Sequence, residues 1–409
     1  MISDTLPAPA TSPGLPFGAL ATQPADALLG LIALHRADER PQKIDLGVGV
    51  FRDDAGTTPV LRAVKAAEAA LLETQMTKAY LGAEGDATYA ALLGGVLFGD
   101  RPADERLHGV QTPGGTGALR LGAELVARAD RAARVWIGAP TWPNHAPIFA
   151  EAGLATRSHR FYDAATGGID FDAMLADLTE ARAGDILLLH GCCHNPTGAE
   201  LTPAQWSAIA ELCASRGLIP FIDLAYQGLG DGLAQDAAAT RMMFAALPTA
   251  LVAYSCDKNF GLYRERVGAF WALSANGAIA ERVRTNILSL ARSLWSMPPD
   301  HGAAIVRTIL ENAALRRDWQ HELEAMRVRL NGLRTALAAT HPRLSAIADQ
   351  RGMFAMLPLT PASVATLREE HGIYMAANGR INIAGLRAET VPFFAHALRP
   401  HLDAESTTP

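Results

Sequence analysis

The residues best suited to chemistry in this sequence sit in the stretch SCDKNFGLYRERVGA, residues 255–269. It holds a single lysine, Lys258, followed by Arg264 and Arg266, and it comes directly after the apolar run ALVAY, residues 250–254. That run reads as a buried strand whose C-terminal end carries the lysine. A lysine held at such an edge can be desolvated and deprotonated, which makes it an imine-forming nucleophile. An arginine nearby suits the phosphate of a cofactor bearing an aldehyde. Taken alone, the same residues describe an ordinary charged loop, so the rest of the chain must decide.

Asp223 lies in the apolar run LIPFIDLAY, residues 218–226, where a carboxylate is costly without a partner. A protonated pyridine nitrogen is one suitable partner, with His145 as support behind it. Tyr226 is close enough in sequence to reach the ring oxygen of such a ligand, although core packing explains a lone tyrosine equally well. In GGTGALRLGAELVARA a glycine turn leads into an amphipathic helix expected over Ala118–Ala129, so Gly115, Thr116 and Gly117 offer a phosphate the N–H groups of a helix start. This is neither a nucleotide P-loop nor the dinucleotide fingerprint. Arg292 and Arg380 are candidates for planar recognition of carboxylates, each with a solvated surface role as the plain alternative. His190, Cys192, Cys193 and His194 are not read as a metal site, because adjacent strand residues face opposite ways and zinc-like spacings are absent. Nor is there a GxSxG elbow or an HExxH helix.

These residues need a frame. Apolar strand-like runs at Ala133–Pro140, Asp185–Gly191, Leu218–Tyr226 and Ala250–Tyr254 alternate with helical patterns, which implies an open, mostly parallel sheet flanked by helices. Ligands of such sheets gather beyond the C-terminal strand ends, where Trp142, Asn195, Asp223, Tyr226 and Lys258 all fall. Lys43–Phe51 reads as a strand interrupted by Gly47 and Gly49, and Pro59 as the start of a helical stretch. A long amphipathic helix over about Leu315–Ala338 leads into a smaller α+β unit. The organisation expected is an N-terminal arm (1–25), a large cofactor-binding domain (57–325) and a small domain (26–56 with 326–409). A chain of 409 residues with net charge −6 and 6% aromatics has no field or stacking surface for nucleic acid. Four cysteines, no signal-peptide pattern and no apolar span of about 18 residues point to a cytoplasmic protein away from membranes.

Together the pieces GGTGALR, PTWPNH, HGCCHNPTGAELTPAQW, IDLAYQGLGDG and KNFGLYRERVGA resemble the class I pyridoxal-phosphate aminotransferases, in the aspartate and aromatic amino-acid branch. The resemblance extends from ADALLGLIALHRADERPQKIDLGVGVFRDDAGTTPVLRAV to GRINIAGL and implies the fold type I architecture with pyridoxal 5′-phosphate as cofactor. It implies that Lys258 binds the cofactor covalently and shuttles a proton, and that Asp223 holds the pyridine nitrogen protonated. Asn195 and Tyr226 would bond the ring oxygen and Trp142 would stack on the ring. Gly115, Thr116, Ser255 and Arg266 would hold the phosphate, with Tyr80 reaching in from a second subunit of a homodimer that shares its active sites. Arg380 would bind the substrate α-carboxylate beside Gly49, Trp142 and Asn195, and Arg292 of the second subunit would clamp a side-chain carboxylate.

Two departures stand out. Asp257 occupies a position before the lysine that is commonly serine, and Gly114 replaces a serine found in many aspartate-specific members. HGCCHNPTGA with Gly114 most resembles members that accept tyrosine, phenylalanine and tryptophan as well as aspartate, with 2-oxoglutarate as amino acceptor and ping-pong kinetics. Aspartate-specific transamination is the nearest alternative. A β-lyase, a decarboxylase and a non-catalytic binding protein are more distant ones.

Overall fold

A computed structural model describes residues 17–18, 20–23, 27–99 and 104–404. Most of the expected N-terminal arm therefore lies outside the described residues. Seven strands form one sheet: β1 (Leu107–Pro113), β2 (Arg134–Ala139), β3 (Ala155–Arg160), β4 (Ile186–His190), β5 (Ile219–Leu224), β6 (Ala250–Ser255) and β7 (Val267–Leu273). Their order across the sheet is β1-β7-β6-β5-β4-β2-β3. Only β7 runs against its neighbours, and the other pairs are parallel. Strands β6 and β7 are buried along their whole length, which is why they read as unbroken apolar runs rather than alternating ones.

Strand β2 pairs with β3 on one edge and β4 on the other, so the chain changes direction there. Such a reversal opens a crevice beyond the C-terminal strand ends. Helix α1 (Gly114–Ala129) starts at the end of β1 and packs on β6 and β7. Gly268 on β7 permits this approach, because a Cβ there would sit 2.5 Å from the Gly114 carbonyl carbon. Helix α2 (His145–Glu151) follows β2, and α3 (Gly277–Leu294) follows β7. Helix α4 (Ala313–Ala338) is the long helix expected near its end, here capped by Asn312, whose side chain accepts from the N–H groups of Ala314 and Leu315.

Beyond α4 the chain forms small sheets rather than extending the large one. Ile44–Asp45 pairs in parallel with Ile373–Tyr374, and Phe354–Met356 pairs antiparallel with Arg380–Asn382. The segment before the large sheet thus joins the segment after it.

Three expectations about elements need correction. The strand read over Lys43–Phe51 shrinks to Ile44–Asp45, because the backbone carbonyls of Gly47, Val48 and Val50 accept hydrogen bonds from Arg380 and Asn382 side chains instead of a strand partner. The helix expected from Ala118 begins at Gly114, so the glycine turn is its first turn. Helix formation after Pro59 waits until Arg62, where Glu322 on α4 accepts the N–H groups of Arg62 and Ala63.

Candidate active site

The sheet register builds the first part of the site. Asp223 on β5 lies opposite His190 on β4 and Ala253 on β6, one residue before β5 ends. Its Oδ2 is hydrogen-bonded at 3.0 Å to Nε2 of His145, at the start of α2, and Nδ1 of that ring is 2.7 Å from Thr141 Oγ1. Burial opposes ionisation of Asp223. The hydrogen bond from His145, with the charges of its surroundings, outweighs burial and holds the carboxyl below its usual value. A buried, ionised carboxylate with one oxygen pinned from behind is ready for a cationic partner in front.

Lys258 follows β6 in a turn fixed from outside. Trp319 on α4 donates its indole N–H to the Asn259 carbonyl at 2.8 Å and stacks on Phe260 with ring centroids 4.3 Å apart. The ammonium is 5.1 Å from the Tyr226 ring centroid. Burial lowers the Lys258 pKa; Asp257 and Asp223 pull it up, Arg266 pushes it down, and the net direction is down. Burial likewise raises the Tyr226 hydroxyl, so it stays protonated and able to donate.

A cavity of about 340 Å³ brings these residues together. The large sheet and its loops contribute Trp142, Asn195, Asp223, Tyr226, Ser255 and Lys258. The start of α1 adds Gly115 and Thr116, and the turn into β7 adds Arg266, whose φ of 52° is left-handed. From the flanking small sheets come Gly49 and Arg380. Arg380 donates to the Gly47 carbonyl at 3.0 Å and lies 4.8 Å from the Phe354 ring centroid, while burial lowers its pKa. The loop bearing Gly49 is clamped by Asn382, whose amide donates to the Val48 and Val50 carbonyls at 2.6 and 2.8 Å.

Eleven predicted site residues thus meet in one cavity, while Gly117, Tyr80 and Arg292 do not line it. Tyr80 is 93% exposed, and Arg292, in the last turn of α3, is exposed and bonded to Ser296 Oγ at 2.6 Å. Within one subunit neither reaches the cavity. Asp257 does not point into solvent: it is buried, and its carboxylate pairs with Arg266. The cavity walls also include Val48, Val50, Leu119 and Phe354, which sequence reading did not single out. Phe354 carried a strand signal but no chemical one.

Within the histidine–cysteine cluster the His190 and His194 rings lie 4.1 Å apart, each with its own further partners. His194 stacks on Phe161 at 4.4 Å and bonds Thr197, whereas His190 faces His145 and Asp223. Burial, reinforced by His145, holds the His190 pKa near about 3, so its ring is neutral. All four cysteines are buried and free.

Four residues of the cavity wall carry buried polar atoms without partners: His190 Nε2, Asn195 Oδ1, Asp257 Oδ1 and Arg380 Nε. Together with the Gly115–Thr116 helix start, the Arg266 guanidinium and the Asp223 carboxylate, these suit a phosphorylated, nitrogen-containing ring and a carboxylate-bearing second ligand. The donor set therefore fits pyridoxal phosphate.

This is the architecture of a fold type I enzyme with a lysine-centred site at the strand ends. The family description "Aminotransferase class I and II" matches residues 41–398, and the chain belongs to that family. A tyrosine aminotransferase of Rhizobium meliloti (strain 1021) is 56% identical over 375 residues, 91% of this chain and 96% of that protein. An aspartate aminotransferase of Salmonella typhi is 45% identical over 391 residues, 93% of this chain and 99% of that protein. The crystal structure of an aromatic-amino-acid aminotransferase from Burkholderia pseudomallei, covalently bound to pyridoxal phosphate, superposes with a TM-score of 0.92 at 40% identity, covering 95% of this chain and 100% of that one.

Proposed function

We propose that the protein is an aromatic-amino-acid aminotransferase that uses pyridoxal 5′-phosphate to move the amino group of tyrosine, phenylalanine, tryptophan or aspartate to 2-oxoglutarate. The observation that supports this most is the meeting of Lys258, Asp223 and Arg380 in one cavity with apolar walls. When bound, the cofactor supplies the aldehyde that carries the amino group and the ring that withdraws electrons from the substrate α-carbon.

The chain's own residues do the rest. Lys258 Nζ, made less basic by burial, serves as the covalent anchor and then as the base that moves a proton from the α-carbon. Asp223, kept anionic through His145, would hold a proton on the cofactor's ring nitrogen. Tyr226 Oη and Asn195 orient the ring oxygen, and Trp142, itself edge-on to His145 at 5.3 Å, covers the ring face. Gly115, Thr116, Ser255 and Arg266 hold the phosphate. Arg380 takes the substrate α-carboxylate, and Val48, Val50 and Leu119 give an aromatic side chain apolar surface. Amino acid and oxo acid use this one cavity in turn, which makes the kinetics ping-pong.

The assembly we propose is a homodimer with shared sites, in which the exposed Tyr80 and Arg292 of each subunit serve the other. We retain the division into an arm (1–25), a large domain (57–325) and a small domain (26–56 with 326–409), and a cytoplasmic location. Among the described residues no helix is long and apolar enough to cross a membrane.

The deciding experiment compares kcat/KM for tyrosine, phenylalanine, tryptophan and aspartate with 2-oxoglutarate as acceptor. Turnover of the aromatic acids at rates comparable to or above aspartate supports the proposal. Turnover of aspartate alone assigns the protein to the aspartate-specific class.

A further inference from the structure

Asp257 and Gly114, the two departures from the family pattern, stand against the same side chain. The Asp257 carboxylate accepts from Arg266 Nη1, and Asp257 Oδ1 is buried without a partner. The Asp257 side chain is only 8% exposed. Gly114 has a φ of +71°, and a Cβ there would come within 2.6 Å of Arg266 Nη2. The glycine thus leaves the space in which the guanidinium can lie against the aspartate. Arg266 Nη1 is further engaged by the Tyr263 carbonyl at 3.2 Å, and Ser255 Oγ accepts the Asp257 N–H at 3.2 Å. Ser255, Asp257, Arg266, Gly115 and Thr116 all line the one cavity.

We infer that Asp257 is an affinity-setting residue of the phosphate cup: it occupies part of Arg266 and places a buried negative charge beside the bound phosphate, so that the protein holds phosphorylated ligands loosely. The inference rests on the proposed cofactor reading. Without the aspartate, the cup would present an unshared guanidinium and the helix start to a dianion. With it, the arginine charge is offset before any phosphate arrives, and the buried carboxylate repels the phosphate. The cofactor is then held chiefly by its bond to Lys258 and by the ring contacts, and it exchanges with free cofactor more readily.

The test is an absorbance titration of the full-length protein, freed of cofactor, with pyridoxal phosphate and with pyridoxal, which lacks the phosphate. Asp257→Asn keeps the side-chain shape and removes the charge, while Asp257→Ser restores a small hydroxyl. Having both guards against a folding defect in either. Each variant is expected to bind pyridoxal phosphate about tenfold or more tightly than wild type, the scale of one charged hydrogen-bonding group, with a distinctly smaller gain for pyridoxal, which senses only the loss of a carboxylate beside Lys258. Inorganic phosphate should compete with pyridoxal phosphate correspondingly better in the variants. Unchanged or weaker binding of pyridoxal phosphate, or an equal shift for both ligands, overturns the inference while leaving the cofactor reading intact. A wild-type protein that develops no band between about 330 and 430 nm with pyridoxal phosphate overturns the cofactor reading itself, and the inference with it.

Discussion

Glu200 links the pH dependence of stability to the strap that carries Asn195. It follows the Asn195-Pro196-Thr197-Gly198 turn, and its carboxyl accepts the N–H of Cys193. It also borders a second cavity, of about 370 Å³, shared with Asp231, Asp236 and Arg351. Burial pushes its pKa from the ordinary 4.5 up to about 8, with the neighbouring Asp236 and Asp231 adding to the rise and the Cys193 N–H opposing it. The folded state therefore binds a proton that the unfolded chain releases. Stability from this group is full below the unfolded pKa, declines as pH rises through the window up to the folded value, and is lost above it. At about 1.4 kcal/mol per pH unit the ceiling is roughly 5 kcal/mol. Contact with the water-accessible cavity reduces this to about 1–3 kcal/mol. Glu200→Gln keeps the acceptor for Cys193 and removes the titration. Urea unfolding at fixed protein concentration, run at about pH 5 and about pH 9, should show wild type losing that much more stability than the variant across the interval. Parallel losses in the two proteins would mean that Glu200 is ionised throughout, and the burial argument would fail.

Lys258→Ala should abolish transamination while pyridoxal phosphate supplied in excess still binds; borohydride treatment should no longer fix it covalently, and substantial residual turnover would remove Lys258 from the chemistry. Arg292→Leu should lower kcat/KM for aspartate by about a hundredfold, the worth of a charged carboxylate contact, and change phenylalanine only severalfold. Equal losses would reject the side-chain clamp. Arg380→Lys should lower kcat/KM for aspartate and phenylalanine alike, by about a hundredfold, because a lysine cannot reproduce the bidentate geometry. A loss confined to one substrate would show that Arg380 does not read the shared α-carboxylate.

The sheet was legible because β4, β5 and β6 are buried over nearly their whole length and their composition follows directly from that burial. Asp223 was legible for the related reason that a charge inside such a run is conspicuous. His145 could be tied to it only as a suggestion, since a contact over 78 residues depends on where α2 starts after β2. The Lys43–Phe51 strand failed because its extended backbone is held by two side chains from residues 380 and 382, which no local pattern reveals. The same limit hid the apolar wall, as Phe354 differs in no chemical respect from the other core phenylalanines. Asp257 was visible as an oddity, but its partner was not: the spacing to Arg266 is nine residues, and the two meet because β6 and β7 pair antiparallel with Ser255 opposite Gly268.

That pairing bears on Lys258 as well. Two carboxylates neighbour the lysine, and both favour its charged form. Asp223 is the residue proposed to face the ring nitrogen, and its carboxylate is engaged from behind by His145. Asp257 is spent on Arg266, the cation that otherwise helps to keep Lys258 neutral. Aspartate and arginine thus oppose one another at the lysine as they do at the phosphate cup, with Asp257 the stronger influence on Nζ. Burial is then the dominant influence on the nucleophile, and it is supplied by packing: the Trp319–Phe260 stack and the indole bond to Asn259 hold the turn against the cavity. Burial thus lowers the pKa of Lys258 despite the charge beside it, and the consequence proposed for that charge is on cofactor retention.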